Sequence, residues 1–142
     1  MGKIVSIVVV LLFLDFPDLI GKWDLVSSTT FENILVSPAF LEGSEKQQKE
    51  VSSKFSLALE RSFYQCYKDS VVWTDVSTAT GEIVRKRGKW FVSGDTLRVY
   101  DLDKIKTYEY VYSVNDEVLE LKFILPPGVV SRNVWSYKKV RT

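Results

Sequence analysis

The sequence predicts an all-β fold: eight antiparallel strands closed into an up-and-down barrel, with one helix inserted between the first two strands. From Gly21 onward, apolar and polar residues alternate with a period of two, and turn residues recur at short intervals. Both features are typical of antiparallel strands connected by hairpins. Each predicted strand has one apolar face and therefore needs a shared interior. Closing the meander provides that interior and leaves no exposed edge strands.

Composition supports one globular domain and excludes several function classes. The chain has 142 residues, of which 46% are hydrophobic and 26% charged, so it is long enough to bury a real core. Its formal charge of +1 gives no basic footprint, and we expect no nucleic-acid partner. The absence of His removes Ser-His-Asp and Cys-His catalysis and the usual zinc-ligand sets. We therefore expect a non-enzyme with no catalytic residue, metal or cofactor.

Residues 1–20 form an apolar, signal-like or anchor segment that precedes the barrel domain of residues 21–142. After Lys3, residues 4–14 are apolar except for Ser6. This run is shorter than the roughly 20 residues that span a bilayer, and its length and basic flank are typical of a secretory signal. No small-x-small cleavage site follows the run. The alternative is a β-branched segment that is buried in the fold.

The signal interpretation predicts export, to the periplasm or to an outer-membrane-associated location. A lipoprotein would carry a Cys directly after the apolar run, but the run continues into Asp15-Phe16-Pro17, so the sequence offers no site for a lipid anchor there. The only cysteine is Cys66, and no internal disulfide can form. In the alternative interpretation, residues 4–14 contact a membrane or a protein partner.

The first strand is predicted at about 22–30, where Trp23 and Leu25 alternate with Asp24. Turn signals such as Ser93-Gly94-Asp95 and Asn115-Asp116 separate the later strands. These later strands are predicted at Phe63–Tyr67, Val71–Thr74, Ile83–Val92, Thr96–Leu102, Ile105–Val114, Glu117–Leu125 and Val130–Val140.

A helix is predicted near residues 44–60, between the first two strands. Ser44 and Gln47 have the spacing of a capping box at its start. Apolar residues at helical spacing follow, namely Val51, Phe55, Ala58 and Leu59. The competing interpretation is a strand, because the apolar residues of segment 55–59 also alternate with a period of two.

A row of tyrosines on the predicted strand Ile105–Val114 is the best candidate for a ligand-binding wall. Tyr108, Tyr110 and Tyr112 share one face, and a cavity satisfies buried hydroxyls more easily than a dry core does. The alternative is that these residues face outward, with their hydroxyls in water. The residues that would complete the wall, and that would serve equally well as core, are Trp90, Leu121, Phe123, Trp135 and Tyr137.

Several short motifs carry a family resemblance over residues 21–142. Gly21-x-Trp23, at the start of the first strand, resembles the signature of the lipocalin and calycin superfamily. The order of the later motifs resembles the small lipocalin-like proteins that Bacteroidetes bacteria export. These motifs are Asp69-Ser70-Val71-Val72-Trp73-Thr74-Asp75, Gly88-Lys89-Trp90, Ser93-Gly94-Asp95-Thr96-Leu97 and Trp135-Ser136-Tyr137-Lys138-Lys139.

The resemblance implies an eight-stranded barrel that holds an apolar small molecule. It implies that Gly21 and Trp23 lie at the closed end, with a late basic residue, Arg132 or Lys138, packed on the indole. It also places the helix near 44–60 over the open end, where it would act as a lid. The alternatives are a surface helix packed on the barrel and an element that docks a partner.

Two functions follow from the sequence. The first is a non-catalytic lipocalin-like barrel of the cell envelope that binds a small apolar or amphipathic molecule. The second is a structural or accessory subunit of a membrane-associated complex, with a barrel filled by side chains and docked through residues 4–14. A cavity of several hundred Å³ favours the first function, and a solid interior favours the second.

Overall fold

The computed structural model describes residues 19–77 and 80–141. The predicted signal-like segment lies outside the described residues, apart from Leu19 and Ile20. The strands are β1 (Gly21–Ser28), β2 (Phe63–Cys66), β3 (Ser70–Val76), β4 (Ile83–Ser93), β5 (Thr96–Asp101), β6 (Lys106–Asn115), β7 (Val118–Leu125), β8 (Val129–Val130) and β9 (Trp135–Lys139). The helices are α1 (Thr29–Leu35), α2 (Pro38–Leu41) and α3 (Glu45–Arg61).

Eight of these strands close into an antiparallel up-and-down barrel, as the sequence predicts. Strands β1 to β7 each pair with the next strand in the chain, and β9 returns to lie between β7 and β1. The short strand β8 pairs only with the end of β7 and stays outside the ring. The closed ring leaves each strand of the barrel hydrogen-bonded on both sides.

The connection from β1 to β2 contains three helices rather than one. The predicted capping box is confirmed, because Ser44 accepts a hydrogen bond from the Gln47 N–H while the Gln47 side chain accepts one from the Ser44 N–H. Helices α1 and α2 span only seven and four residues, too few for a periodic apolar pattern. The first strand ends at Ser28 rather than near residue 30, because the Ser28 side chain caps α1.

The predicted last strand is divided in two. Between β8 and β9, the Asn133 N–H donates to the Ser131 side chain, and Thr29 exchanges hydrogen bonds with the backbone of Val134. The Ser131 N–H still donates to the Phe123 carbonyl of β7, but after Ser131 these local bonds replace strand pairing and join the segment to the start of α1.

Large side chains fill the end of the barrel where β1 begins. Trp23 is fully buried, and its indole N–H donates to the Leu19 carbonyl at 2.9 Å. The indole N–H of Trp90 donates to the Tyr67 carbonyl at 2.7 Å. Val71, Val99 and Leu119 pack in the same core. We call this the closed end, and it is the position that the family resemblance implies for Trp23.

The cation on the Trp23 indole is Lys139, which corrects the expected role of Arg132 or Lys138. The Lys139 ammonium lies 5.5 Å from the ring centroid. The register pairs Trp23 directly with Lys139, whereas Arg132 is exposed and precedes β9 near the helices. A Cβ at Gly21 would lie 3.0 Å from the Lys139 side chain, so glycine leaves room for that stem.

A buried ion pair fixes the turn between β5 and β6. Lys86 Nζ lies 3.6 Å from Asp101 Oδ2, and Asp101 Oδ1 accepts hydrogen bonds from the N–H groups of Asp103 and Lys104. Desolvation acts to raise the pKa of Asp101, but these two hydrogen bonds and the Lys86 ammonium outweigh it and hold the pKa below its ordinary value. Gly88 is paired with Asp101 across the strands, and a Cβ at this position would collide with the Tyr100 carbonyl oxygen.

Within the described residues, no helix combines the length and the apolar character needed to cross a membrane.

The burial of Trp23 gives a stability prediction. Trp23→Ala should lower the free energy of unfolding by about 3–5 kcal/mol, because it removes a fully buried indole from the closed end and leaves a cavity. Chemical denaturation of the full chain measures this. The control is Phe91→Ala, a ring that is 57% exposed, which should change stability by less than about 0.5 kcal/mol. An unchanged transition in Trp23→Ala would contradict the placement of Trp23 at the closed end.

Candidate functional site

A cavity of about 530 Å³ lies at the opposite end of the barrel, beneath the helices. Its helical wall consists of Phe31, Ile34, Val51, Lys54, Phe55 and Ala58. Its barrel wall includes Tyr64, Asp75, Tyr110, Leu121, Phe123, Trp135 and Tyr137. The lining is therefore mostly aromatic and aliphatic, with a few polar groups, which is the usual character of a small-molecule site.

Aromatic contacts hold the helices over this cavity. The rings of Phe31 on α1 and Phe55 on α3 are stacked, with centroids 4.3 Å apart and planes 9° from parallel. Phe31 also meets Trp135 of β9 edge to face, with centroids 5.2 Å apart. These contacts join both helices to the barrel, so α1 and α3 together cover the cavity.

Three tyrosines from three strands meet in the barrel wall of the cavity: Tyr64 (β2), Tyr110 (β6) and Tyr137 (β9). The hydroxyls of Tyr64 and Tyr110 are 3.4 Å apart. The ring of Tyr64 meets that of Tyr137 edge to face at 5.3 Å, and the ring of Tyr110 meets Phe123 in the same way at 5.0 Å. We call these three residues the tyrosine cluster.

The hydroxyls of the tyrosine cluster stay neutral. Burial raises the pKa of Tyr110 to about 12, and it raises the pKa of Tyr64 and Tyr137 well above the ordinary value. The negative charge of Asp75 also raises the pKa of all three. The cluster therefore provides O–H donors throughout the physiological pH range.

Five of the eight predicted wall residues line the cavity, namely Tyr110, Leu121, Phe123, Trp135 and Tyr137. The other three do not. Trp90 is buried in the closed end, and Tyr112 packs against the core, opposite Leu121. The rings of Tyr108 and Phe123 meet edge to face, and the Lys106 ammonium lies 5.2 Å from the centroid of the Tyr108 ring.

Sequence reasoning missed Phe31, Phe55, Tyr64 and Asp75 as lining residues. Tyr64 and Asp75 carried a detectable signal, since each alternates with an inward-facing residue of its strand, Cys66 and Trp73 respectively. Phe31 gave no such signal, because it lies in a helix that the periodicity did not reveal.

The described residues contain no group of three or more Cys, Asp or Glu side chains placed to hold a metal ion. Cys66 is buried, and burial raises the pKa of its thiol to about 12, so the thiolate needed for nucleophilic chemistry is not formed at neutral pH.

No protein-family model matches the chain, and no curated protein matches it by sequence. Among solved structures, a lipocalin-like protein from Bacteroides uniformis matches with a TM-score of 0.51 and 15% identity, over 87% of this chain and 99% of that one. The chain has the lipocalin-like fold. At this identity the match establishes the fold alone.

Two further structures match this lipocalin-like barrel less closely. One is a zebrafish ileal bile acid-binding protein complexed with cholic acid, with a TM-score of 0.42 and 13% identity over 87% of this chain and 99% of that one. The other is a REP1-NXSQ fatty acid transporter, with a TM-score of 0.42 and 14% identity over 88% of this chain and 98% of that one.

The raised pKa values of the tyrosine cluster predict the alkaline behaviour of the protein. In the unfolded chain these hydroxyls ionise near pH 10, but in the fold they hold their protons to higher pH. Their contribution to stability is therefore complete below pH 10 and is lost as the pH rises through the raised folded values. Tyrosinate absorbance, recorded alongside circular dichroism, should show a late component that appears only when the barrel unfolds.

Tyr137→Phe should reduce this late component, whereas Tyr67→Phe, at an exposed ring, should leave it unchanged. If all the tyrosinate absorbance developed in one step near pH 10 while the protein stayed folded, the placement of the tyrosine cluster would be wrong.

Proposed function

We propose that this protein binds a small apolar or amphipathic molecule in the cavity between the helices and the barrel, without catalysis. The observation that carries this proposal is the cavity of about 530 Å³, lined by aromatic and aliphatic side chains together with the hydroxyls of the tyrosine cluster. This volume falls within the range of roughly 300–1,000 Å³ typical of small-molecule sites.

The cavity also distinguishes this proposal from its alternative, an accessory subunit whose barrel is filled by side chains. The closed end around Trp23 is filled, but the half beneath α1 and α3 is not. Unfilled apolar volume costs stability, so a purely structural barrel would gain from filling it. The segment that would dock such a subunit, residues 4–14, lies outside the described residues.

The binding proposal can be tested by filling the cavity from α3. Ala58 is 7% exposed and lines the cavity, so Ala58→Trp should place an indole in the ligand volume and weaken binding of Nile red, a neutral apolar dye, by at least about tenfold. Fluorescence titration of the delipidated full chain measures this. Ser56→Trp, on the exposed side of the same helix, is the matched control and should bind as the parent does.

Ile34→Trp tests the same volume from α1, at a side chain that is 39% exposed and tolerates a larger residue, in case Ala58→Trp does not fold. Undiminished dye binding in a folded cavity-filled variant, or a parent protein that neither binds dye nor retains any ligand in native mass spectrometry, would contradict the proposal.

We also propose that the protein is exported to the cell envelope. Support comes from Lys3 and the apolar run of residues 4–14, whose length and basic flank suit a secretory signal. Expression in a Gram-negative host should place the protein in the periplasmic or membrane fraction. Leu11→Arg together with Leu12→Arg should block this by interrupting the apolar run. Recovery of the unaltered chain in the cytosolic fraction would contradict the proposal.

A further inference from the structure

The tyrosine cluster has more hydrogen-bonding capacity than it uses. The contact between Tyr64 and Tyr110 employs one of the three O–H donors, at 3.4 Å. Tyr137 is only 6% exposed and lines the cavity, and its hydroxyl makes no hydrogen bond to residues 19–77 and 80–141. Two of the three O–H donors are therefore not used within the described residues, and they can donate to an occupant of the cavity. A polar group withdrawn from water without a partner is costly, so the site suits an occupant that offers an acceptor.

The charge beside these donors is negative. Asp75 lines the cavity from the inward face of β3, two residues after the buried Trp73, and Trp73 is the direct neighbour of Tyr64 across the strands. The lining also contains a positive charge, that of Lys54, which lies on α3 rather than on the barrel wall. Lys86, the buried cation of the barrel, is paired with Asp101 and is not part of the lining.

These observations identify the polar end of the ligand. We propose that the cavity selects a neutral amphiphile whose carbonyl or ester oxygen accepts hydrogen bonds from the tyrosine cluster. The negative charge of Asp75 disfavours carboxylate head groups. This inference rests on the proposed binding function. A neutral carbonyl accepts two O–H donors without bringing a charge out of water. A carboxylate in the same place would lose its hydration and would be repelled by the negative charge of Asp75, which lines the cavity as an exposed residue.

Two probes with one chain and different head groups test this inference: cis-parinaric acid and its methyl ester. Titrated into the delipidated full chain at neutral pH, the ester should bind at least about tenfold more tightly than the acid. Asp75→Asn should narrow this difference by tightening the acid more than the ester. Tyr137→Phe should weaken the ester by about three- to tenfold, the usual effect of one lost hydrogen bond.

Tyr110→Phe tests the same cluster should Tyr137→Phe not fold. Tyr67→Phe, at a ring outside the cavity, is the matched control and should bind both probes as the parent does.

The outcomes separate the inference from the proposed function on which it rests. Tighter binding of the acid, weakened by Lys54→Gln, would show an anionic head held at α3 and would overturn the inference while leaving the binding function intact. Failure of both probes to displace Nile red would also overturn the inference. A parent protein that neither binds Nile red nor retains any ligand in native mass spectrometry would overturn the proposed function.

Discussion

The pairing of β9 with β1 is the constraint on which the rest of the molecule depends. It joins the last strand to the first, and its register sets Trp23 beside Lys139 at the closed end and Ser28 beside Trp135 at the cavity. Both halves of the interior are therefore fixed by one ladder. Because side chains alternate across a strand, a slip of one residue would turn the apolar face of β9 outward and remove Trp135 and Tyr137 from the wall.

The fold could be predicted because its signals act over whole strands. Alternation and turn residues predict the closed meander, and the capping box of Ser44 and Gln47 predicts the start of α3. The errors have a different origin, in single hydrogen bonds that no periodic pattern contains. Ser28 ends β1 by capping α1, and the bonds between Thr29 and Val134 interrupt the predicted last strand. The bonds between Thr29 and Val134 join residues that are far apart in the chain. The Ser28 cap ends a strand and begins a helix at one residue.

The site could be predicted only in part, because alternation gives the face of a residue but not its height along the barrel. Tyr108, Tyr110 and Tyr112 alternate on one strand, yet of these three only Tyr110 lines the cavity. The same limit explains the cation on Trp23, since the choice among the basic residues near the end of the chain depends on strand register. The helical wall around Phe31 and Phe55 depends on tertiary packing, which a single sequence does not encode in a readable pattern.

The shortness of β2 has a mechanical consequence for the barrel. Its four residues pair with β1 only as far as Asp24, and beyond that point the end of α3 takes the place of a strand. There the wall is joined to β3 by the side chain of Thr74, which accepts from the Phe63 N–H and donates to the Arg61 carbonyl. Parting this seam breaks two hydrogen bonds, whereas parting β4 from β5 breaks a continuous ladder. We therefore expect the wall to open more readily beside Thr74 than between β4 and β5, because fewer hydrogen bonds hold it there.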